Sequence, residues 1–178
     1  MTSDKQFTRS TTEAPNVNER LAVRGDHYCF GCGRENPHGL KLTFFGAEDG
    51  GVWSEWTPAR VSEGYTGIVH GGLITTVLDE VMGWAVYHRR IWAVTGKISV
   101  NFRRPVEIGQ PTRAAARVVA EQGRKITITA DLRRAADGLL LADAEALFFR
   151  VPEATAREWQ ERYIDPSAWG ESAPPQLP

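Results

Sequence analysis

One segment, between residues 71 and 88, constrains the fold of this chain more than any other. Apolar residues recur along it at helical spacing: Leu73, Ile74, Val77, Leu78, Val81, Met82 and Ala85. Asp79 lies nearly opposite the middle of this stripe, on a side that it shares with Thr76 and Gly83. A helix that is apolar on one side and half apolar on the other is expected to be packed against other structure on both sides. We expect a sheet on one side and a partner on the other, which makes Asp79 a candidate catalytic group.

Composition and charge restrict the class of protein. A chain of 178 residues is long enough for one domain with a substantial core. The net charge of -1 argues against nucleic acid as the main partner. No apolar run approaches the ~20 residues that span a bilayer, so no membrane association is expected. The N-terminal sequence shows no secretory signal, and we therefore expect a cytoplasmic protein whose Cys29 and Cys32 are reduced.

The order of predicted elements indicates an α+β fold. A polar, flexible N-terminal arm is expected over residues 1–24, the folded domain over 25–151, and a C-terminal helix with a disordered tail over 152–178. Alternating apolar residues and turn signals predict strands over residues 40–44, 52–56, 94–102, 111–121, 125–133 and 140–151, and a terminal helix over 155–163. Strands segregated from one long helix imply an antiparallel sheet with that helix on one face. The remaining face favours a symmetric partner.

Three segments carry a resemblance to a known family. They are Cys29-Phe30-Gly31-Cys32-Gly33 with NPHGLKL at 36–42, the stretch GIVHGG at 67–72 with Asp79-Glu80 behind it, and TGKISVNFRRPV at 95–106. Together they resemble the hotdog fold, in particular the PaaI-like acyl-CoA thioesterases. The resemblance implies an antiparallel sheet wrapped around one long central helix and hydrolysis of acyl-CoA without a cofactor. It also implies a homodimer or homotetramer with active sites at the subunit interface.

The same resemblance assigns candidate catalytic roles. The first amides of a helix are unpaired and lie at the positive end of its dipole, so the Gly71 and Gly72 amides are candidate oxyanion donors. Asp79 matches the acidic residue of the family, which acts as general base or nucleophile. Thr95 matches a Ser/Thr position that orients water or the carboxylate. His70 is expected to fix the glycine turn, and a role as general base is the alternative.

One position departs from the pattern of the family. Many relatives carry Asn or Gln six residues before the histidine, where the side chain polarises the thioester or positions water. This chain has Gly64 there. Gly64 is therefore expected to lie beside the substrate without supplying that amide, and Glu63 or Thr66 are candidate replacements.

Basic and aromatic residues are candidates for substrate binding. Arg103 and Arg104 follow the strand that carries Thr95 and are candidates for the phosphates of CoA. Four aromatic residues fall near the helix: Tyr65, Trp84, Tyr87 and Trp92. They are expected either to line a pocket for a bulky acyl group or to pack in the core.

The cysteine segment offers a possible metal site. Its potential zinc ligands are His27, Cys29, Cys32 and His38. Zinc sites rarely come from one tight segment without a second ligand pair further along the chain, so a buried loop without metal is expected. Glu80 lies on a different face of the helix from Asp79, and we expect it to pair with Arg89 or Lys97.

Two other functions remain open. A hydratase or dehydratase acting on an enoyl or hydroxyacyl thioester would use His70 and Asp79 to move protons at carbon. A non-catalytic acyl-CoA-binding protein would fit the missing amide at Gly64. Only a hydrolase releases free CoA from acyl-CoA.

Overall fold

The computed structural model describes residues 20–21, 24 and 26–164. The elements are β1 (Phe44–Gly46), β2 (Val52–Trp56), β3 (Glu63–Tyr65), β4 (Ile68–Val69), α1 (Gly71–His88), β5 (Ala93–Phe102), β6 (Thr112–Gln122), β7 (Lys125–Arg134), β8 (Leu140–Arg150) and α2 (Glu153–Tyr163). Six strands form one antiparallel sheet in the order β1-β2-β6-β7-β8-β5. Strands β3 and β4 form a separate hairpin. The α+β prediction, with a sheet around one long helix, is confirmed.

Helix α1 packs its apolar stripe against the sheet. Seven residues of the helix are buried: Ile74, Val77, Leu78, Val81, Met82, Ala85 and Val86. The sheet contributes residues such as Ile126, Ile128 and Leu132 to the same core. Complete burial of one such side chain contributes about 1.5–3 kcal/mol, so this stripe fixes the helix on the sheet.

The long strands lie within two residues of their predicted bounds, but the first predicted strand, over residues 40–44, is wrong except at its last residue. Strand β1 begins only at Phe44. The Leu40 amide instead donates to the Phe30 carbonyl at 2.8 Å, and Lys41 has a φ of 57°. The backbone before β1 thus belongs to the cysteine segment. The hairpin of β3 and β4 was not predicted, because strands of three and two residues show no alternation.

The edge strand β5 and the C-terminal helix α2 contribute residues to the candidate site described below. Strand β5 is an edge strand of ten residues. The predicted terminal helix is confirmed as α2, which begins two residues earlier than expected. The predicted tail after residue 164 and residues 1–19 of the predicted arm lie outside the described residues. Neither described helix combines the length and apolar character that a bilayer span requires.

Candidate active site

Asp79 and Thr95 meet where α1 crosses the edge strand. The Thr95 hydroxyl donates to Asp79 Oδ1 at 2.7 Å. The register between β5 and β8 shifts just after Thr95, and a Cβ at Gly96 would lie 2.3 Å from the ring of Phe149. A bulge of this kind changes the direction of neighbouring side chains. Gly96 therefore allows the local bend in β5 that directs Thr95 toward the helix. Burial raises the pKa of Asp79, and the hydrogen bond from Thr95 acts in the opposite direction.

His70 is the N-cap of α1. Its Nδ1 accepts the Gly72 N–H at 2.9 Å, and its carbonyl accepts the Leu73 amide at 3.0 Å. Because Nδ1 accepts, the hydrogen of the neutral ring lies on Nε2. In this state His70 offers a donor at Nε2 and has no free nitrogen lone pair for a role as base.

The cap leaves the two glycine amides in different situations. The Gly72 amide is engaged by His70 and is therefore not available for an oxyanion, which corrects the expectation that both amides serve. Gly71 is the first residue of α1, where helix amides have no intrahelical acceptor. The ring of Phe102 lies 3.4 Å from the position that a Cβ on Gly71 would take. The geometry thus narrows the candidate oxyanion donor to the Gly71 amide.

Gly64 is exposed but lies against the backbone of the N-cap. A Cβ at this position would lie 2.8 Å from His70 Cα and 3.2 Å from His70 N. The hairpin is held in this place by the Gly67 amide, which donates to Glu63 Oε1 at 2.6 Å, and by the His70 amide, which donates to the Ser62 carbonyl at 2.9 Å. No side chain fits at position 64 without a shift. Glu63 is engaged within the hairpin, and Thr66 is exposed.

Two recesses divide the candidate residues. The first, here called the aromatic cleft, has a volume of about 800 Å³ and includes Asp79 and Thr95 in its wall. The second, here called the glycine-turn groove, has a volume of about 620 Å³ and contains Gly64, His70 and Gly71. In the single chain the candidate base and the candidate oxyanion donor therefore face different recesses.

Aromatic side chains form a row along the aromatic cleft. Trp84 lies 5.3 Å from Tyr87, Tyr87 lies 5.0 Å from Trp92, and Trp92 lies 6.0 Å from Trp159, all between ring centroids. All four rings line the cleft. Trp159 comes from α2, a segment that contains no recognisable functional motif. Tyr65 does not join this row, because it lies 85% exposed on β3 and lines the glycine-turn groove.

Both candidate arginines line the glycine-turn groove. Arg103 Nη2 donates to Asp143 Oδ2 at 3.3 Å, and Arg103 Nε forms a further bond to the same carboxylate. Its guanidinium is thus fixed from β8. Arg104 is exposed at the rim of the same groove. The structure thus places both arginines beside the glycine turn and away from the aromatic row.

The aromatic cleft also contains residues whose proximity to Asp79 and Glu80 the sequence did not predict. His27, Cys29, Cys32 and Glu80 line it together with Asp79. Cys29 Sγ lies 3.5 Å from Glu80 Oε1. Burial, followed by the charge of Cys29, raises the pKa of Glu80 to about 7. The hydrogen bond from Cys32 lowers the pKa of Cys29 to about 5, whereas the same bond and burial raise the pKa of Cys32.

The expected pairing of Glu80 with Arg89 is wrong. Arg89 Nη2 lies 3.0 Å from Glu121 Oε1 on β6, and Lys97 is exposed on the edge strand. Glu80 turns instead toward the cysteine segment, 51 residues earlier in the chain. Sequence spacing gave no signal for this contact, because it depends on how a loop without regular structure folds over α1.

Comparison with known proteins gives a consistent family. The sequence profile of the thioesterase superfamily matches residues 66–141. A crystal structure of a thioesterase superfamily protein is 30% identical, with a TM-score of 0.66, and the match covers 76% of this chain and 69% of the other. The PaaI protein of the phenylacetic acid degradation operon of E. coli shares the fold at 17% identity, with a TM-score of 0.59 over 64% of this chain and 81% of that one.

Curated relatives match over a shorter range. The acyl-coenzyme A thioesterase THEM4 of Xenopus laevis is 28% identical over 94 residues, which are 53% of this chain and 42% of the relative. The match thus spans less than half the length of that relative. Together with the structural match, these relatives support the predicted PaaI-like hotdog fold.

Proposed function

The chain belongs to the thioesterase superfamily, and from that premise we propose that it hydrolyses the thioester of an acyl-CoA to a free acid and CoA. The observation that carries the proposal is the hydrogen bond of 2.7 Å between Thr95 and Asp79 at the wall of the aromatic cleft. A carboxylate fixed in this way can act on water next to an apolar pocket. The acyl-CoA specificity follows the name of the curated relatives.

In the proposed reaction Asp79 is the base. Thr95 occupies Oδ1, which leaves Oδ2 to accept a proton from water. The water oxygen attacks the acyl carbon, and the carbonyl oxygen becomes an oxyanion that the Gly71 amide stabilises. Collapse of this intermediate breaks the carbon–sulfur bond, and the CoA thiolate takes the proton from Asp79. Direct attack by Asp79 on the acyl carbon is the covalent alternative. Neither route requires a redox cofactor or a catalytic metal.

We propose that two chains build each active site. Gly71 and Asp79 are separated by eight residues, or about 12 Å along the helix axis. A base must come within about 3 Å of its target or act through one water. Two α1 helices related by a two-fold axis would bring Asp79 of one chain to the Gly71 turn of the other. The division of these residues between two recesses supports this arrangement.

The edge strand provides a surface for such a partner. Strand β5 runs for ten residues at the edge of the sheet, with Val94 45% and Phe102 56% exposed. Long edge strands are normally covered or paired. Pairing through β5 would place Thr95, at one end, and Phe102, beside the Gly71 turn, along the same interface. A homodimer, or a tetramer built from such dimers, would then complete the site.

The two recesses suggest how the substrate is divided. The row of rings in the aromatic cleft would receive a bulky or aromatic acyl group. Arg103 and Arg104 in the partner's glycine-turn groove would face the phosphates of CoA. In the assembled dimer the thioester would lie between these two recesses.

Product analysis tests the proposal. Purified protein is incubated separately with acetyl-CoA, a long-chain acyl-CoA, phenylacetyl-CoA and an enoyl-CoA, and the products, including free CoA and free acid, are separated by chromatography. We expect equal amounts of CoA and acid, formed fastest from the bulky substrates. Addition of water to an enoyl-CoA without release of CoA would instead indicate a hydratase. Tight binding of acyl-CoA without any product would indicate a binding protein.

A further inference from the structure

Three ligand-bearing side chains converge under the loop that covers the middle of α1. Cys29 and Cys32 come from the cysteine segment, and Glu80 comes from the helix. One ligand atom of each lies within 4.8 Å of the others. The sequence alone predicts a metal-free loop, because a second ligand pair from a distant part of the chain is missing. Glu80 provides one such distant ligand.

The separation of Cys29 and Glu80 matches that between two ligands of one zinc ion. Sulfur and oxygen ligands lie about 2.3 Å and about 2.0–2.2 Å from a tetrahedral zinc, and hence about 3.5 Å from each other. Cys29 Sγ lies 3.5 Å from Glu80 Oε1 and 3.7 Å from Oε2. The two cysteines have the C-x-x-C spacing that supplies two ligands in many zinc sites. Two thiolates with a carboxylate favour zinc over magnesium or calcium, which prefer oxygen ligands.

The glycines of the loop make this convergence possible. A Cβ at Gly31 would lie 2.3 Å from Glu80 Cδ, so the carboxylate occupies the space that a side chain would take. A Cβ at Gly33 would lie 2.4 Å from the His27 carbonyl and 2.5 Å from the Cys29 amide. The Gly33 amide also donates to the Cys29 carbonyl at 2.9 Å. The loop is therefore shaped around the Glu80 carboxylate and holds both sulfurs beside it.

Among the described residues, the side chains that act most strongly on the Glu80 carboxylate are those of Cys29, Cys32 and Trp84. None of these three carries a positive charge, although a buried carboxylate is normally paired with a cation or a metal. A divalent cation would offset two of the three negative charges of the carboxylate and the two thiolates.

His27 gives a second, independent indication of a ligand in this cleft. Its ring is 4% exposed, and Nδ1 accepts the Cys29 N–H at 3.3 Å. Nε2 therefore carries the hydrogen, yet it meets no acceptor among the described residues. Buried polar atoms rarely remain without a partner. A water or an anion bound at a cation in the aromatic cleft is the kind of acceptor that this N–H requires.

We propose that Cys29, Cys32 and Glu80 bind one zinc ion, with the fourth position open to water from the aromatic cleft. The ion would clamp the cysteine segment onto α1, next to Asp79. The site is independent of the proposed hydrolysis, which uses other groups. Its tests involve no acyl-CoA, so failure of one proposal leaves the other intact.

Cobalt substitution tests the ligand set directly. Reduced full-length protein is freed of metal with a chelator and titrated with Co²⁺. We expect one equivalent to bind, with a thiolate-to-cobalt charge-transfer band in the near ultraviolet and the visible bands of tetrahedral cobalt. When the protein is expressed and purified with zinc present, elemental analysis should show about one zinc per chain. Absence of a thiolate band in folded, reduced protein would overturn the site.

Variants identify the ligands. Cys29→Ser and Cys32→Ser should each weaken the charge-transfer band, because one of the two thiolates is removed, and the double variant should lose it. Glu80→Gln should weaken zinc binding at least about tenfold, because even residues that only hydrogen-bond to a metal ligand contribute that much. Glu48→Gln, in the exposed turn between β1 and β2, is the matched control and should bind zinc normally. Unchanged zinc affinity in all three ligand variants would overturn the assignment.

Thiol reactivity gives a test on the unaltered chain, where no variant can misfold. The sequence contains only two cysteines, so every reactive thiol belongs to the proposed site. We expect zinc to slow the reaction of both thiols with Ellman's reagent at least about tenfold, and a chelator to restore it. Equal rates with and without zinc would contradict the proposal.

Discussion

The aromatic cleft and the glycine-turn groove differ in chemistry although both border the same helix. The cleft is lined by two carboxylates, aromatic rings and two thiols, whereas the groove presents a helix N-terminus and two arginines. The first contains the candidate base, and the second contains the candidate oxyanion donor. Under the proposed dimer each recess is one half of an active site, and each prediction below tests one half or the complete site.

The largest effect is expected at the base. Asp79→Asn keeps the shape of the side chain and its bond with the Thr95 hydroxyl but cannot accept a proton from water. We expect kcat to fall at least about 100-fold with little change in thermal stability. Asp49→Asn, in the exposed turn before β2, is the matched control and should keep full activity. Near-normal turnover by folded Asp79→Asn protein would exclude Asp79 as the base.

Complementation tests whether the half-sites unite across two chains. Gly71→Val should block the candidate oxyanion amide, since the ring of Phe102 already lies 3.4 Å from the Cβ position. When inactive Asp79→Asn and Gly71→Val chains are unfolded and refolded together, half the dimers are mixed, and one of their two sites carries neither lesion. We expect about a quarter of the wild-type activity to return.

The complementation requires its own controls. Each variant refolded alone should stay inactive, and mixed dimers should be verified with a tag on one chain. Verified mixed dimers without recovered activity would assign each active site to a single chain.

Gly64 tests why the groove departs from its relatives. Restoring the amide with Gly64→Asn should not raise kcat, because the new Cβ would lie 2.8 Å from His70 Cα. We expect a loss of about 1–3 kcal/mol in the free energy of unfolding and a lower rate. Thr66→Asn, exposed in the same hairpin, should change neither. A faster and equally stable Gly64→Asn enzyme would show that the hairpin can open for a side chain.

The elements that the sequence predicted well are those with long patterns. Helix α1 has seven buried positions at helical spacing, and the four long strands each run for ten or eleven residues. The hairpin of β3 and β4 is too short for a pattern, and residues 40–42 alternate without being a strand. The conformation of residues 40–42 is set by hydrogen bonds from the Leu40 and Leu42 amides to the carbonyls of Phe30 and Gly31 in the cysteine segment.

The site was predictable only where motifs are local. Asp79 and Thr95 belong to two of the segments that carry the family resemblance, and the resemblance implies that they act together; their side chains lie 2.7 Å apart. The contact of Glu80 with Cys29 spans 51 residues and depends on the loop over α1. The occupied Gly72 amide and the close approach of Gly64 to His70 depend on backbone geometry at the cap, which composition and spacing do not encode.

The smallest effect is expected at the far end of the aromatic cleft. Trp159 comes from α2, and its ring lies 6.0 Å from that of Trp92. Because an aromatic contact contributes about 0.5–1.5 kcal/mol, Trp159→Leu should raise KM for phenylacetyl-CoA about two- to tenfold. An acetyl group is too small to reach this ring, so KM for acetyl-CoA should stay constant. Trp53→Leu, on β2 and outside this cleft, controls for the general cost of losing an indole. Equal changes in KM for both substrates would place the acyl group elsewhere and leave the aromatic row with a packing role.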